Sequence, residues 1–586
     1  VFIIYASTTT MVVQRLPAMA TLVTLGAGPR ELVRAVVAEA ALLGAIGSIV
    51  GVGLGLFLAS FIGEDAAAGM ALNYSLPFEA GRTSWEPLVV FVVHPIGGVL
   101  AAACSAYLPA RRLRFVTPLL LQRDDDSMLH RSMVSPAGAL AVAAVPSLLG
   151  TVALSYGVTR GSASWVSAGG ILVIAGAVLA MLPVLRALWT ASGPILSKRF
   201  GVAGTIASEN LVRSMDRSLV TASAITLSVA IAVGSGSLVQ SFRASVADWY
   251  GFAGDAIVSS RSVTGGWLAA PVGRELEQPL RALAAVASVE TLRVLQGQPY
   301  REERIALAAL SEGLLRKAIE EGDVLGHSSE EAALAAVARG YAVAVSQNFA
   351  THFSVVAGQP LELPTVAGAV RLPVVAIVPD YISDKGSVLM SRDLLAAHWN
   401  DRLVNYYAVQ LADDAAVSEL ARQVEASLPG SDGLAVTATS RMIERVDGLI
   451  GKAFADIATI QLLVLFLTTV GIADLVVSNV LSRRRELAVL RLVGLTDAQV
   501  IRTARLEGVC VTLAAAGCGT VVGVVCAWLW VHYNYPALVG YVLELELAWS
   551  SIFVSLALAA LSASAASTIA ARYALRQPAL SAIRFE

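Results

Sequence analysis

The chain has 586 residues, of which 56% are hydrophobic and 15% are charged, and its mean hydropathy is +0.69. Soluble proteins carry about 25% charged residues, so this composition excludes an ordinary soluble protein and predicts an integral membrane protein with room for one soluble domain. The formal net charge of −2 gives no support to nucleic-acid binding. Basic residues are nearly all Arg and Ala is abundant, which favours a GC-rich, actinobacterial genome.

The chain opens with VFIIYAST, an apolar stretch without a basic flank, which does not have the form of a signal peptide. It is also too short to cross a bilayer, which takes roughly 20 residues. We therefore expect the chain to start inside a transmembrane helix and to be truncated at its N-terminus.

Eight later stretches are long and apolar enough to cross a membrane. One of them contains a carboxylate, Asp474, which costs about 2.5–3.5 kcal/mol on insertion scales. We expect Asp474 to make a polar contact between helices or with Arg483 to Arg485, and proton coupling is the alternative. The spans are 40–62, 88–108, 137–157, 166–187, 219–241, 457–480, 508–531 and 549–571.

Lys and Arg residues in the connecting loops set the orientation. One alternate set of loops contains 22 of them and the other set of short loops contains 2. The basic set faces the cytoplasm, which predicts a multi-pass plasma-membrane protein with a large external insertion at 242–455. The basic loops are 9–37, 109–135, 186–218, 481–505 and 572–586.

The external insertion has a mixed α and β pattern. Its strand predictions rest on β-branched or aromatic runs bounded by Gly or Pro, and 413–430 reads as an amphipathic helix ended by Pro-Gly. An α+β domain of about 200 residues can form its own core. The predicted strands are 341–346, 371–378, 386–391 and 405–411.

A cytoplasmic segment occurs twice, at Gln14 to Ala40 and again 468 positions later at 483–508. Without a gap, Gly26 aligns with Gly494, Arg34 with Arg502 and Glu39 with Glu507. Such a duplication suggests a transporter built from two related halves.

Each repeated segment predicts a short helix, a glycine stop and a second helix that enters the membrane. In the second copy, Thr496 and Asp497 can cap the new helix by accepting from its free backbone N–H groups. A short helix along the membrane face suits a groove in a soluble subunit. The alternative is an ordinary basic loop that only sets topology, and the duplication argues against it.

RRRELAVLRLVGLT…LEG, followed by a glycine-rich span, resembles the signature of FtsX-like permeases, the membrane subunits of MacB-type ABC transporters. The segment YAVAVSQNFATHFSVVAGQPLEL…LPVVAIVPDY resembles that family's external core domain. The resemblance implies a membrane protein, mainly α-helical, with two repeated helical halves and an extracytoplasmic α+β domain. It also implies ATPase-coupling residues, which are Arg483, Glu486, Arg491, Gly494 and Glu507, with Gly26, Arg34 and Glu39 in the first copy.

This sequence departs from the family pattern in the first copy, where Pro17-Ala18 replaces Arg485-Glu486. The first loop is therefore expected to engage its partner more weakly. With the helix missing before residue 1, the architecture would be ten helices in a 4+2+4 arrangement.

Small residues spaced by four predict close helix packing. Gly47, Gly51 and Gly55 form one such ridge, and Gly519 and Gly523 match its last two members. His94-Pro95 predicts a kink. The four Cys all lie in apolar spans and have neither disulfide nor zinc spacing, so no metal site is predicted.

No catalytic set is present in the sequence, and GLIGKAF (448–454) lacks the spacing of a phosphate-binding loop. The hypothesis is therefore a permease subunit, not an enzyme, that couples a separate cytoplasmic ATPase dimer to export or mechanotransmission at the external face. ATP and Mg²⁺ would be bound by that ATPase. The chain's other expected partners are membrane lipid and an external substrate, lipoprotein or hydrolase.

The domain boundaries are 1–123 for the first permease half, 124–194 for a linker with two extra spans, 195–241 for an interfacial helix and the first span of the second half, 242–455 for the external domain and 456–586 for the second half.

Three alternatives stay open at this point. The chain could be a signalling protein that controls a cell-wall hydrolase or antibiotic sensing, an ion-coupled secondary transporter, or a membrane-bound enzyme. More polar midplane residues would be expected for the second, and a catalytic set for the third.

Overall fold

The structure is a computed structural model. Among the predicted coupling residues, Arg483 lies outside the part it describes. The described residues are 8, 11–12, 15–74, 89–111, 136–160, 162–213, 215–251, 254–265, 268–320, 323–324, 330–356, 358–366, 368–383, 385–412, 415–428, 431–482, 484–539 and 543–576.

Eight helices among these residues are long and apolar enough to cross a membrane, and each overlaps a span predicted from sequence. In the first half, α1 (Leu16–Thr24) precedes α2 and α3. The helices of the membrane part are α2 (Pro29–Tyr74), α3 (His94–Arg111), α4 (Pro136–Arg160), α5 (Ala163–Arg213), α6 (Met215–Gly251), α14 (Ala455–Ser482), α15 (Arg484–Leu492), α16 (Asp497–Leu529), α17 (Tyr535–Val539) and α18 (Trp549–Leu575).

Three of these helices are irregular. A left-handed backbone at Gly201 (φ +58°) divides α5 into a spanning part and a short helix that follows it. A π-helical turn, Val89–Val93, comes directly before His94-Pro95, and another, Trp530–Asn534, joins α16 to α17.

The second half is a packed group of α6, α14, α16 and α18, and α5 lies against α16 and α6. Polar side chains connect these helices. Thr226 Oγ1 donates to Ala515 O at 3.0 Å, and Gln461 Nε2 donates to Ala232 O at 3.0 Å and to Ser551 Oγ at 2.9 Å. In the first half, α2 packs on α3, contacts α14 of the second half, and contacts α13 (Thr439–Ala453) of the external domain.

The external domain is α+β, which confirms the fold class. Its helices are α7 (Glu277–Arg281), α8 (Glu312–Glu320), α9 (Glu330–Ala338), α10 (Gln347–Phe353), α11 (Arg392–Trp399), α12 (Val417–Ser427) and α13 (Thr439–Ala453). Its strands are β1 (Ala256–Ser260), β2 (Val263–Gly265), β3 (Leu268–Ala269), β4 (Val272–Gly273), β5 (Val286–Tyr300), β6 (Glu303–Leu310), β7 (Asp323–Val324), β8 (Val343–Ser346), β9 (Pro360–Thr365), β10 (Gly368–Val378), β11 (Ser387–Ser391), β12 (Leu403–Val404), β13 (Tyr406–Leu411) and β14 (Leu434–Ala438).

The main sheet runs β14-β1-β13-β5-β6-β11-β8-β10-β7 through the described residues, with β9 paired to β10. All four predicted strands are confirmed, and the predicted amphipathic helix is α12. One hydrophobic core of this domain continues into the outer end of α6 and into α13 through Phe242, Val246, Met442, Val446 and Ile450. We call these two helix segments, 242–251 and 439–453, the stalk.

Candidate functional site

The two cytoplasmic turns have the same backbone hydrogen bonds at positions 468 residues apart. In the first, the Gly26 N–H donates to the carbonyl three residues back at 3.0 Å, and the Ala27 N–H to the carbonyl five residues back at 2.9 Å. Gly494 and Leu495 repeat both bonds at 3.1 Å. Both glycines have positive φ, +99° and +108°. This is the Schellman ending, in which a left-handed glycine stops a helix.

The helix after each turn begins with the same type of cap. The Gly28 N–H donates to Glu31 Oε2 at 3.0 Å in the first copy, and the Thr496 N–H donates to Gln499 Oε1 at 2.9 Å in the second. Thr496 Oγ1 also accepts from the Gln499 N–H, which completes a capping box. The predicted sequence of helix, glycine stop and capped helix is therefore confirmed.

A small hydrophobic core supports each turn. Met19 and Leu487 occupy matching positions and are both buried. Met19 belongs to a cluster that includes Ala110 near the end of α3, and Leu487 to one that includes Ala570 near the end of α18. Each turn thus packs against the last helix of its own half.

Directly before each glycine stands an apolar side chain that faces solvent. Leu25 is 79% exposed and Val493, at the matching position, is 75% exposed. These residues lie on the basic, cytoplasmic side of the chain. An exposed apolar residue on a rigid turn is the form expected of a contact for another protein.

Arg491 anchors the second turn to two helices. Its Nε lies 3.0 Å from Asp497 Oδ1 at the start of α16, and its Nη1 donates to Leu575 O at the end of α18, at 3.2 Å. Cationic groups are favourable at a helix C-terminus. Val23 and Pro29 occupy the matching positions in the first copy, which therefore lacks this anchor.

The end of α5, on both sides of Gly201, also contacts the second copy. Glu507 Oε2 accepts from Asn210 Nδ2 at 3.5 Å, and the Arg502 guanidinium lies 5.5 Å from the ring centre of Phe200. The predicted interfacial helix thus supports the helix that follows the second turn.

In the first copy, Glu39 pairs with Arg15, whose Nη1 lies 3.1 Å from Glu39 Oε2. Both are partly exposed. Arg34, which matches Arg502, is exposed on α2. The ion pair between Arg15 and Glu39 was not predicted. The available signal was that both residues have a match in the second copy, because Arg15 aligns with Arg483 and Glu39 with Glu507.

The predicted glycine packing is present in one copy. A Cβ at Gly519 would lie 2.6 Å from Thr226 O, and a Cβ at Gly523 would lie 2.8 Å from the Cβ of Val233, both on α6. At Gly47, Gly51 and Gly55 no described atom lies within 4 Å of that position. Close packing there has no support among the described residues.

Asp474 is exposed on α14 and makes no polar contact within the described part of the chain. Its predicted pairing stays a prediction, because Arg483 and the side chains of Arg484 and Arg485 lie outside that part. Glu486 is exposed on α15, where a cytoplasmic partner could reach it.

The external domain contains a buried carboxyl group that sequence reasoning missed. Asp380 is buried and accepts from Ser387 Oγ and from the N–H groups of Tyr381 and Ile382. Burial raises its pKa to about 7 despite these hydrogen bonds. Nothing in the local sequence distinguishes Asp380 from a loop aspartate.

Comparisons with known proteins agree with this architecture. The family model for the FtsX-like permease C-terminal region matches residues 1–118 and 458–579, and the MacB-like periplasmic core domain matches 218–427. An uncharacterized ABC transporter permease protein, Rv0987, from Mycobacterium tuberculosis is 25% identical over all of this chain and 68% of its own length.

Two solved structures each match about a third of this chain. The periplasmic region of MacB from Actinobacillus actinomycetemcomitans matches with 12% identity and a TM-score of 0.26, covering 33% of this chain and 92% of that one. The extracellular domain of the noncanonic ABC-type transporter YknZ from Gram-positive bacteria matches with 12% identity and a TM-score of 0.24, covering 31% and 98%.

Proposed function

Because the chain belongs to the FtsX-like permease family with a MacB-like external core domain, we propose that it couples a separate cytoplasmic ATPase to movement of that external domain. The ATPase would bind ATP and Mg²⁺, and this chain would supply the membrane path. We infer from this membership that the chain is a non-enzymatic membrane subunit.

The observation that carries this proposal is the duplicated cytoplasmic turn. Leu25 and Val493 project at matching positions from turns with the same hydrogen bonds, and each turn leads into a spanning helix. Two similar contacts from one chain suit a partner that presents two similar grooves, as a dimer of ATPases does.

A continuous path leads from the second turn to the external domain. Arg491 joins the turn to α16 and α18. At the outer side, α6 packs along α16 and continues into the stalk. There Arg243 Nε lies 3.4 Å from Asp447 Oδ1 and links the two stalk helices.

A movement of the turn can therefore reach the sheet through packed helices, with no need for a central polar pore. We propose on this basis that the substrate is handled at the external face or in the outer leaflet. Support also comes from the scarcity of ionisable residues in the spans, since polar translocation paths usually contain them.

The test is affinity purification of the tagged chain from its native host, followed by an ATPase assay of the complex. Recovery of an ATPase whose turnover changes in Glu486→Lys is the expected result, because that substitution reverses the charge at an exposed position of α15. Glu331→Lys, an exposed acidic residue on external helix α9, is the matched control. Absence of any ATPase, or wild-type turnover in Glu486→Lys, would contradict the proposal.

A further inference from the structure

An extended segment between α17 and α18 is attached to the stalk side of α6 by three serines. The Glu544 N–H donates to Ser245 Oγ at 3.2 Å, and the Glu546 N–H donates to Ser241 Oγ at 2.8 Å. The Ala548 N–H donates to Ser237 Oγ at 3.1 Å. All three serines are buried. We call residues 543–548 the strap.

The spacing of the two elements matches. Four helical residues rise about 6 Å, and two extended residues rise about 6.6 Å. Serines four apart on α6 therefore meet every second amide of the strap. The backbone N–H groups that would otherwise lose their partners on burial are satisfied by this ladder.

Both sides of the ladder also repeat in sequence. The helix reads Ser237-x3-Ser241-x3-Ser245, and the strap reads Leu-Glu-Leu-Glu-Leu over 543–547. Leu543 and Leu545 pack into the core that continues through the stalk, whereas Glu544 and Glu546 are exposed. A shift of two residues therefore places leucine on leucine and glutamate on glutamate.

We propose that the strap and α6 form a latch with more than one register, in which the strap moves two residues along α6 when the stalk moves by one helical turn. Two of the three hydrogen bonds re-form after each step. In one shifted register Ser245 meets Glu546 and Ser241 meets Ala548, so Ser237 is unused. In the other, Ser241 meets Glu544 and Ser237 meets Glu546, so Ser245 no longer meets a described amide. One-turn steps of this kind are a known mode of switching.

This inference rests on the proposed function only for the force that drives the step. The strap connects directly to α18, and α18 contacts Arg491 at its other end. A change at the cytoplasmic turn can thus be passed to the strap, and the latch would hold the external domain in discrete positions.

The test places nitroxide labels at Gln240 on α6 and at Glu544 on the strap, both of which are exposed, in a chain whose four cysteines are replaced by alanine. Continuous-wave EPR then measures dipolar broadening without nucleotide or partner. Ser237→Ala weakens the present register but not the Ser245–Glu546 register, so the labels should move apart by up to about 6 Å. Ser245→Ala favours the opposite register and should bring them closer.

The matched control is Ser235→Ala. Ser235 lies on the same helix but contacts Ala232 O within it, at 3.5 Å, so its loss should leave the spectrum unchanged. Opposite shifts in the two end variants support the latch. Unchanged spectra, or shifts in the same direction, show a fixed anchor and overturn it. Because no ATPase is present, failure of the proposed function does not alter this result.

Discussion

The two cytoplasmic turns have one backbone and two different supports. Gly26 and Gly494 stop their helices with the same pair of hydrogen bonds, yet only the second turn is anchored by Arg491 to both α16 and α18. The first is secured by a partly exposed ion pair, Arg15 to Glu39. The glycine and its local hydrogen bonds therefore determine the shape of such a turn, whereas long side chains determine how firmly it is attached.

The same contrast extends through the membrane. In the second half, Gly519 and Gly523 lie against α6, and Thr226 and Gln461 add hydrogen bonds between helices. The aligned ridge of the first half faces no described neighbour. We therefore expect the second half to be the stiffer of the two and to transmit more of any force.

The largest expected effect concerns the external domain. Its unfolding transition must be assigned first, because thermal melting of the full chain reports the external domain together with the two membrane halves. Asp380 has a folded-state pKa of about 7, above its unfolded value. Its contribution to stability is thus present below about pH 4 and is lost as pH rises to 7. From pH 4 to pH 8, the wild type should therefore lose about 4 kcal/mol of stability relative to Asp380→Asn.

Scanning calorimetry of the full chain across this pH range measures that difference. His352 and Lys385 lower the pKa of Glu303. Because Glu303 is present in both proteins, its contribution cancels from their stability difference. Asp393→Asn, at a side chain that is 83% exposed, is the control for replacing an exposed aspartate of the same domain. A difference that does not vary with pH would mean that Asp380 is ionised in the folded domain.

The next largest effect tests whether both turns contact the same kind of partner. Leu25→Asp and Val493→Asp each place a charge at an exposed apolar position, and each should weaken binding of the copurifying ATPase about 30-fold, the loss of about 2 kcal/mol expected for a hot spot. Leu25→Val and Val493→Leu exchange the residues of the two turns and should be neutral. Titration of labelled ATPase measures the affinities. Loss in only one Asp variant would contradict a two-groove partner.

The features readable from sequence were those that depend on local pattern. Eight spans, the α+β class of the insertion and the glycine-stopped turns follow from hydropathy, alternation and capping residues. The anchor made by Arg491 was missed in its detail because Leu575 is 84 residues away and accepts through its backbone. The serine ladder was missed for a similar reason, since serines four apart in a helix usually bond to their own backbone and only tertiary structure brings the strap beside them.

A smaller effect tests the anchor itself. Arg491→Val gives the second turn the residue found in the first, Val23, and removes both contacts of the guanidinium. Stability should fall by about 1 kcal/mol, and stimulated ATP turnover should fall while the ATPase still binds. The converse change, Val23→Arg, should form no anchor and should leave stimulated ATP turnover unchanged, because Pro29 offers no carboxylate where the second copy has Asp497. Equal effects of the two substitutions would contradict the difference in anchoring.

The smallest expected effect concerns the ion pair of the first copy. The side chains of Arg15 and Glu39 are 55% and 39% exposed, and exposed pairs contribute about 0–1 kcal/mol, less at high salt. Arg15→Ala should therefore lower the melting temperature only slightly, and the change should vanish in concentrated salt. Glu507→Ala, at the matching position of the second copy, should cost more and should keep its effect in salt, because Glu507 is half-buried and faces the buried Asn210. If Arg15→Ala were the more damaging of the two, the first turn would be the firmly attached one, and the force path would have to be drawn through α2 rather than α16.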